Sequence, residues 1–457
     1  MNDIKLFGTD GIRSRAGDFP LNACAIRAIG QAIGERLGGR LLVGYDTRVS
    51  SPWILGLLQE GISRSSAVID NAGIIPTPAI ALLVKSDSYS GGIMISASHN
   101  PFEDNGIKVF SDEGTKLNDD AEIEIEQRVF QLMSAGRSGL QAHRDAVPDA
   151  KIELVNSTRF PELYLEKLEA HFSSGQWLHG LHIVVDCANG SLSAVAPELF
   201  KRLGAKLTVI HAKPSGKNIN ADCGAVHLES LIDTVKRTPC DFGVAFDGDG
   251  DRSLFVSGNG RQIDGDAVLL IMARRMRPTT VVGTSMTNFA LEQMLKKEKI
   301  ALTRVDVGDR FIFEEMRRAA SNGDRSALLG GEPSGHIIFP DFGLSGDGLL
   351  TALKVAQALV ESKLSMDELC RDWVPAPLLL KGVRVEKKVP LDRLPRVQSK
   401  IAEVRRELNG RGRLVVRYSG TEPLLRVMIE SDDATRNEKF MEELIVAIRK
   451  SLHESPH

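Results

Sequence analysis

Phe242-Gly-Val-Ala-Phe-Asp-Gly-Asp-Gly-Asp-Arg252 joins a short apolar, β-prone run to a loop with three carboxylates at alternate positions. A strand that stops at a loop of Gly and Asp presents those side chains at its carboxyl end, where α/β sheets bind ligands. The design recurs in Leu41-Leu-Val-Gly-Tyr-Asp-Thr-Arg48, Gly92-Ile-Met-Ile-Ser-Ala-Ser-His99, Ile183-Val-Val-Asp-Cys-Ala-Asn189, Thr280-Val-Val-Gly-Thr284 and Ala327-Leu-Leu-Gly-Gly-Glu332. Between these runs, Ala25–Leu37, Pro161–Phe172 and Gly348–Ser362 read as helices. Alternating strand, loop and helix predict parallel or mixed α/β sheets, with chemistry in the polar loops at the strand ends.

A chain of 457 residues exceeds one ordinary core, so two to four domains are expected. The polar, apolar-poor stretch 134–150, the acidic loop itself and the prolines of Arg371–Pro377 divide it into 1–150, 151–252, 253–370 and 371–457. Hydrophobic residues at 42% and charged residues at 26% mark a globular composition. With a net charge of −3, nothing draws the whole molecule to nucleic acid or an anionic membrane, so anions must be bound by local Arg and Lys clusters. No apolar run approaches membrane-spanning length and the first residues lack a secretory core, which implies a cytoplasmic protein. The five cysteines, Cys24, Cys187, Cys223, Cys240 and Cys370, lack CxxC spacing and read as reduced, small buried or loop thiols.

Asp247, Asp249 and Asp251 can converge their oxygens on one hard cation, magnesium or calcium. An EF-hand would need Gly and Glu where Arg252 and Gly258 stand, and the chain has no Walker A loop. A solvated acidic loop is the competing reading. Ser98, in Ser96-Ala-Ser-His-Asn-Pro101, follows a strand-like run; read alone, the segment fits a turn or cap better than a nucleophile. Nearby Lys108 offers an ammonium for phosphate or proton transfer, or a plain surface charge. Glu332, Ser334 and His336 put a carboxylate, a hydroxyl and an imidazole on one Gly-rich loop, a set suited to a polyol or merely to a turn. Arg417-Tyr-Ser-Gly-Thr-Glu-Pro423 and Arg426 combine two guanidinium groups with Ser419, Gly420 and Thr421, which is phosphate-binding chemistry. Arg13 stands beside a compact turn and Arg48 after a strand, where either alone could be a surface ion-pair residue.

Together and in this order, FGTDGIR, SASHNPFEDNGIK, DGDGDR, GEPSGH and RYSGTEP resemble the α-D-phosphohexomutase superfamily over nearly the whole chain. The resemblance implies four domains around a central cleft, three with mixed or parallel doubly wound sheets and a smaller α+β domain at the C-terminus. It implies a phosphorylated Ser98 and one Mg2+ held by Ser98, Asp247, Asp249 and Asp251. Lys108 would transfer protons, and His99, Arg13 and Arg252 would support the reacting phosphate. Glu332, Ser334 and His336 would hold sugar hydroxyls, while Arg417, Ser419, Gly420, Thr421 and Arg426 would clamp the phosphate that is not reacting. The implied partner is a hexose or hexosamine phosphate passing through a sugar 1,6-bisphosphate, and a homodimer is compatible. Gly283–Asn288, Val307–Arg310 and Ile219–Gly224 resemble the glucosamine-phosphate branch of the superfamily; Pro333 and Gly44–Arg48 resemble its mannose and glucose members.

Overall fold

The structure is a computed structural model that describes residues 5–8, 10–135, 145, 159–320, 328–343, 345–386, 388–419 and 423–453. Two compact units form: Met1–Met286 with Ile300–Arg371, and Thr287–Lys299 with Asp372–His457.

The first unit contains three sheets. In chain order the first uses β1 (Phe7–Gly8), β2 (Gly11–Arg15), α1 (Ala23–Leu37), β3 (Arg40–Tyr45), α2 (Ser51–Ile62), β4 (Val68–Ile74), α3 (Thr77–Ser86), β5 (Gly91–Ile95), β6 (Asp104–Ser111) and α4 (Asp119–Ala135). The second uses α5 (Arg159–His171), β7 (His182–Asp186), α6 (Val195–Arg202), β8 (Lys206–Ile210), α7 (Glu229–Arg237), β9 (Phe242–Phe246), β10 (Ser253–Ser257) and β11 (Gln262–Ile263). Strands past residue 252 thus belong with this sheet, because the chain doubles back after the acidic loop. The third sheet follows α8 (Gly265–Met276) with β12 (Thr280–Thr284), and after α9 (Phe289–Lys297) come β13 (Ala301–Val305), α10 (Asp309–Ala320), β14 (Leu328–Gly331) and β15 (Ile337–Ile338). Helices α11 (Gly348–Ser362) and α12 (Met366–Leu369) complete the unit.

One topology appears three times. Strand orders are β1-β2-β6-β5-β3-β4, β11-β10-β9-β7-β8 and β13-β12-β14-β15. In each, two central strands run parallel, β3 with β5, β7 with β9 and β12 with β14. The second of each pair then turns into an antiparallel partner, β6, β10 or β15. Those three turns hold Ser98, Asp247–Arg252 and Glu332–His336. The central strands form because both faces are covered: α1, α2 and α4 pack with Leu41, Val43, Ile93 and Ile95, while α3 lies against β3 and β5.

In the second unit β16 (Leu378–Arg384), β17 (Gly412–Tyr418) and β18 (Leu424–Ser431) form an antiparallel sheet in the order β16-β18-β17, with α13 (Pro395–Leu408) and α14 (Ala434–His453). Val383, Val397, Ile401, Val427, Phe440 and Leu444 belong to its core. The Phe289 amide at the start of α9 donates to buried Glu430 at 2.8 Å, which fixes this helix in the same unit. Three mixed α/β sheets and a smaller α+β unit are the architecture expected from the sequence.

Candidate active site

Ser98 lies just beyond β5 with φ of +52°, a left-handed conformation that side-chain-bearing residues seldom adopt. Such a turn persists only when its surroundings over-determine it. Arg48, which is fully buried rather than a surface residue, does this with its planar fork of donors. Its Nη2 donates to the Ser98 and Asn100 carbonyls at 2.9 and 2.8 Å, its Nη1 to the Pro101 and Asp104 carbonyls, and its Nε to Asp46 at 2.9 Å. From the second sheet, Asn220 Nδ2 donates to the same Ser98 and Asn100 carbonyls at 2.8 and 3.1 Å. The hydroxyl is thereby aimed: Ser98 Oγ donates to Asp247 Oδ2 at 2.6 Å and lies 3.3 Å from His99 Nδ1.

Asp247, Asp249 and Asp251 are buried, and one oxygen from each lies within 4.8 Å of the others. Glycine makes this approach possible, because a Cβ at Gly248 would stand 2.7 Å from the Ser98 carbonyl and 2.8 Å from Asn220 Nδ2. Burial, then the charges of Asp251 and Asp249, push the Asp247 carboxyl well above its ordinary range. Asp251 goes the other way, since Lys108, His336 and Arg252 outweigh burial and hold it well below. Lys108, buried on β6, contacts Asp249 at 2.8 Å, Asp10 at 3.1 Å and Asp251 at 3.5 Å. Burial works against its charge, but these carboxylates raise its pKa above the usual lysine value, so it is held as an ammonium. Thr77 donates to Asp249 Oδ2 at 2.5 Å.

Arg13 on β2 pairs with Asp10, and Arg252 lies 3.7 Å from Asp251. The Nε of each is buried and makes no hydrogen bond, so both retain a donor for anionic oxygen. Burial and these two guanidinium groups lower the pKa of His99, leaving a neutral imidazole beside the serine.

The third turn is shaped by the second sheet. A Cβ at Gly335, whose φ is +88°, would lie 2.2 Å from the Ser253 carbonyl, and the Gly335 carbonyl accepts from the Ser253 amide at 3.1 Å. Glu332 accepts from the Gly308 amide at 3.1 Å and from Ser334 Oγ at 3.3 Å. His336 Nε2 accepts from the Gly346 amide at 3.1 Å, which leaves Nδ1 to face Asp251 at 3.8 Å. Burial opposes a charge on His336, yet Asp251, Asp309 and Glu332 raise its pKa overall. The Pro333 carbonyl accepts from the Gly265 amide at 3.0 Å.

These three turns bring Ser98, His99, Lys108, Arg13, Arg252, the aspartates and His336 into one connected network. Sequence reading missed Asn220, Asp10, Lys116 and Asp309 as members. Lys116 pairs with Asp10 and with Asp309, the latter at 2.6 Å. Asn220 and Asp309 stand in motifs that were visible as strings, but only the fold shows what they bind. A cavity of 610 Å3 beside Lys116, Asp309 and His336 touches neither Ser98 nor the three aspartates.

In the second unit, Arg417 on β17 is exposed and stands directly opposite Arg426 on β18. Like charges directly opposed across an antiparallel pair are unfavourable. The Ser419 amide donates to the Leu424 carbonyl at 2.8 Å, and the Ser419 carbonyl accepts from Lys388 at 2.7 Å. Gly420 and Thr421 lie outside the described residues.

The acidic loop fits a hard cation. Asp249 Oδ1 and Asp251 Oδ1 are buried without a hydrogen-bond partner, and the donor set, with Ser98 Oγ adjoining, is all oxygen.

Profiles of the phosphoglucomutase/phosphomannomutase α/β/α domains I, II and III match residues 4–135, 162–260 and 264–376, and the profile of the C-terminal domain matches 380–447. A phosphoglucosamine mutase from Solibacter usitatus is 41% identical, over 98% of this chain and 99% of that protein. One from Idiomarina loihiensis is 40% identical, over 97% and 98%. In fold, the chain matches a phosphoglucomutase/phosphomannomutase family protein from Burkholderia thailandensis with a TM-score of 0.79 at 21% identity, over 100% and 99% of the two chains. It also matches an N-acetylphosphoglucosamine mutase from Aspergillus fumigatus, solved with GlcNAc-6P and magnesium, with a TM-score of 0.61 at 18% identity, over 98% and 96%. With all four domains present in order and full-length relatives of this similarity, the chain belongs to the α-D-phosphohexomutase family, on its phosphoglucosamine mutase branch.

Proposed function

We propose that this enzyme interconverts glucosamine 6-phosphate and glucosamine 1-phosphate through a phosphorylated Ser98 and a glucosamine 1,6-bisphosphate. The observation that carries the reading is Ser98 Oγ, fixed on an over-determined turn and 2.6 Å from a cluster of three buried carboxylates. The amino sugar is supported by the phosphoglucosamine mutase relatives at about 40% identity over the full length.

In the forward direction the sugar 1-hydroxyl attacks the phosphoryl of phospho-Ser98. The P–Oγ bond breaks as the P–O1 bond forms, and the hydroxyl proton passes to Ser98 Oγ. The bisphosphate turns round, Ser98 Oγ takes the 6-phosphoryl, and its proton goes to sugar O6. Asp247 orients Oγ through the hydrogen bond it accepts. Lys108, as an ammonium, supplies positive charge and relays that proton, giving one to the departing oxygen and taking back the one the attacking hydroxyl releases, while Arg13, Arg252 and His99 face the transferring oxygens. Asp247, Asp249, Asp251 and the seryl oxygen would hold a divalent cation, Mg2+ in this reading, which would offset negative charge on the phosphoryl group. Glu332, Ser334 and His336 hold sugar hydroxyls. Arg417, Ser419 and Arg426, with Gly420 and Thr421, hold the other phosphate. Cytoplasmic residence and a homodimer belong to the same reading; among the described residues no helix is long and apolar enough to cross a membrane.

A substrate panel tests the assignment. Glucosamine 6-phosphate should exceed mannose and glucose phosphates in kcat/KM by at least about tenfold, the lower end of what a single-group difference supplies. The reverse ranking would assign the enzyme to a hexose phosphate instead.

A further inference from the structure

The second sheet carries another ligand set that the phosphoryl chemistry does not use. Asp186 ends β7, His211 follows β8, and Cys223 lies in the segment leading to α7; one ligand atom of each lies within 4.8 Å of the other two. Asp186 and Cys223 are fully buried. Asp186 is already oriented, with Oδ1 accepting from the Ala188 amide at 2.9 Å and Oδ2 from the Gly224 amide at 3.0 Å. His211 Nδ1 is buried and lies 3.0 Å from Asp186 Oδ2, close enough to pair with it. A cation would take over that pairing: imidazole nitrogen and carboxylate oxygen would both turn to it, with the Cys223 sulfur within 4.8 Å of each.

We propose that Asp186, His211 and Cys223 form a second metal site, for a borderline-soft divalent cation of the Zn2+ class. Carboxylate oxygen, imidazole nitrogen and thiolate sulfur are donors such an ion accepts together, at about 2.0–2.3 Å each. Those bond lengths place tetrahedral ligands about 3.3–3.7 Å apart, a spacing within reach of the present cluster. The oxygen-only loop at Asp247–Asp251 suits Mg2+ instead, so the two sites would sort ions by donor type. Binding deprotonates the Cys223 thiol, whose proton leaves to solvent, and His211, 29% exposed, provides the way in. The fourth position is open to water. Such an ion would tie together the ends of the segment 211–223. Within that segment stands Asn220, which holds the Ser98 turn, so the ion would brace the serine without touching it.

The experiment uses the full-length protein, stripped with chelator, kept under a non-thiol reductant and held in a large excess of Mg2+ to occupy the acidic loop. Titration with Co2+ should saturate at one equivalent per chain with a near-ultraviolet thiolate-to-cobalt charge-transfer band. Cys223→Ser should abolish the band and Cys187→Ser should preserve it. Absence of the band at one equivalent, or its survival in Cys223→Ser, overturns the proposal. Should Cys223→Ser fail to fold, His211→Ala, on the half-exposed segment, should weaken Co2+ binding at least tenfold; unchanged affinity there overturns it equally.

Discussion

The first and second sheets place an aspartate at the same point, the end of the first central parallel strand, and then treat it differently. Asp46, after β3, is met by Arg48, a group that cannot lose its charge and whose remaining donors grip the serine turn. Asp186, ending β7, is met by His211 and Cys223, groups that exchange protons or metal. One topology thus yields a permanent pin in one place and a ligand set in the other. Between them, the turn after β9 supplies the three carboxylates that face Ser98. Shared architecture fixes where polar groups gather; the residue that answers the aspartate decides what they do.

Removing each partner tests that contrast. Arg48→Ala leaves Asp46 buried without its counter-charge, so stability should fall by about 3–5 kcal/mol in chemical denaturation. In metal-free protein, His211→Ala should cost about 1 kcal/mol or less, because His211 is partly exposed and buried Asp186 keeps its two amide donors. Equal losses would erase the distinction between pin and ligand. Asn220→Ala touches the serine from the second sheet only; Arg48 still holds both carbonyls, so kcat should fall roughly ten- to a hundredfold with KM little changed, the signature of a misplaced nucleophile. A change confined to KM would contradict a positioning role.

A pH-dependent effect concerns Asp347, which caps α11 through the Leu350 amide at 2.9 Å, next to Gly348, whose amide donates to the Gly250 carbonyl behind the acidic loop at 3.0 Å. Burial is the main cause of its raised pKa, about 6 in the folded protein. A carboxyl raised on folding is penalised only when ionised. The penalty is absent below about pH 4, grows towards pH 6 and is complete above it, amounting to at most about 3 kcal/mol. Asp347→Asn should therefore gain stability relative to the parent as pH rises from 4 to 6. A flat difference across that range would show that Asp347 does not titrate there.

Much of this was legible in the sequence because strand, turn and helix signals are local. Phe242–Asp247 and Thr280–Thr284 announced their strands by composition, and each functional turn carried its own Gly, Asp or Ser. What could not be read is what crosses between segments. Nothing near Arg48 in sequence signals that its guanidinium closes on carbonyls some fifty residues away, and Asn220 reaches still further. The threefold topology was hidden for a related reason: the three turns share position but not residues. Cys223 read as an inert thiol, because neither Asp186 nor His211 is near it in the chain.

The central claim is that Ser98 carries the phosphoryl group, and mass mapping of the enzyme after exposure to glucosamine 1,6-bisphosphate tests it most directly. The account predicts one phosphoryl group on the peptide containing Ser98, discharged when glucosamine 6-phosphate is added, with neither label nor turnover in Ser98→Ala. Isomerisation that proceeds in Ser98→Ala, or a stable label on another residue, would contradict it.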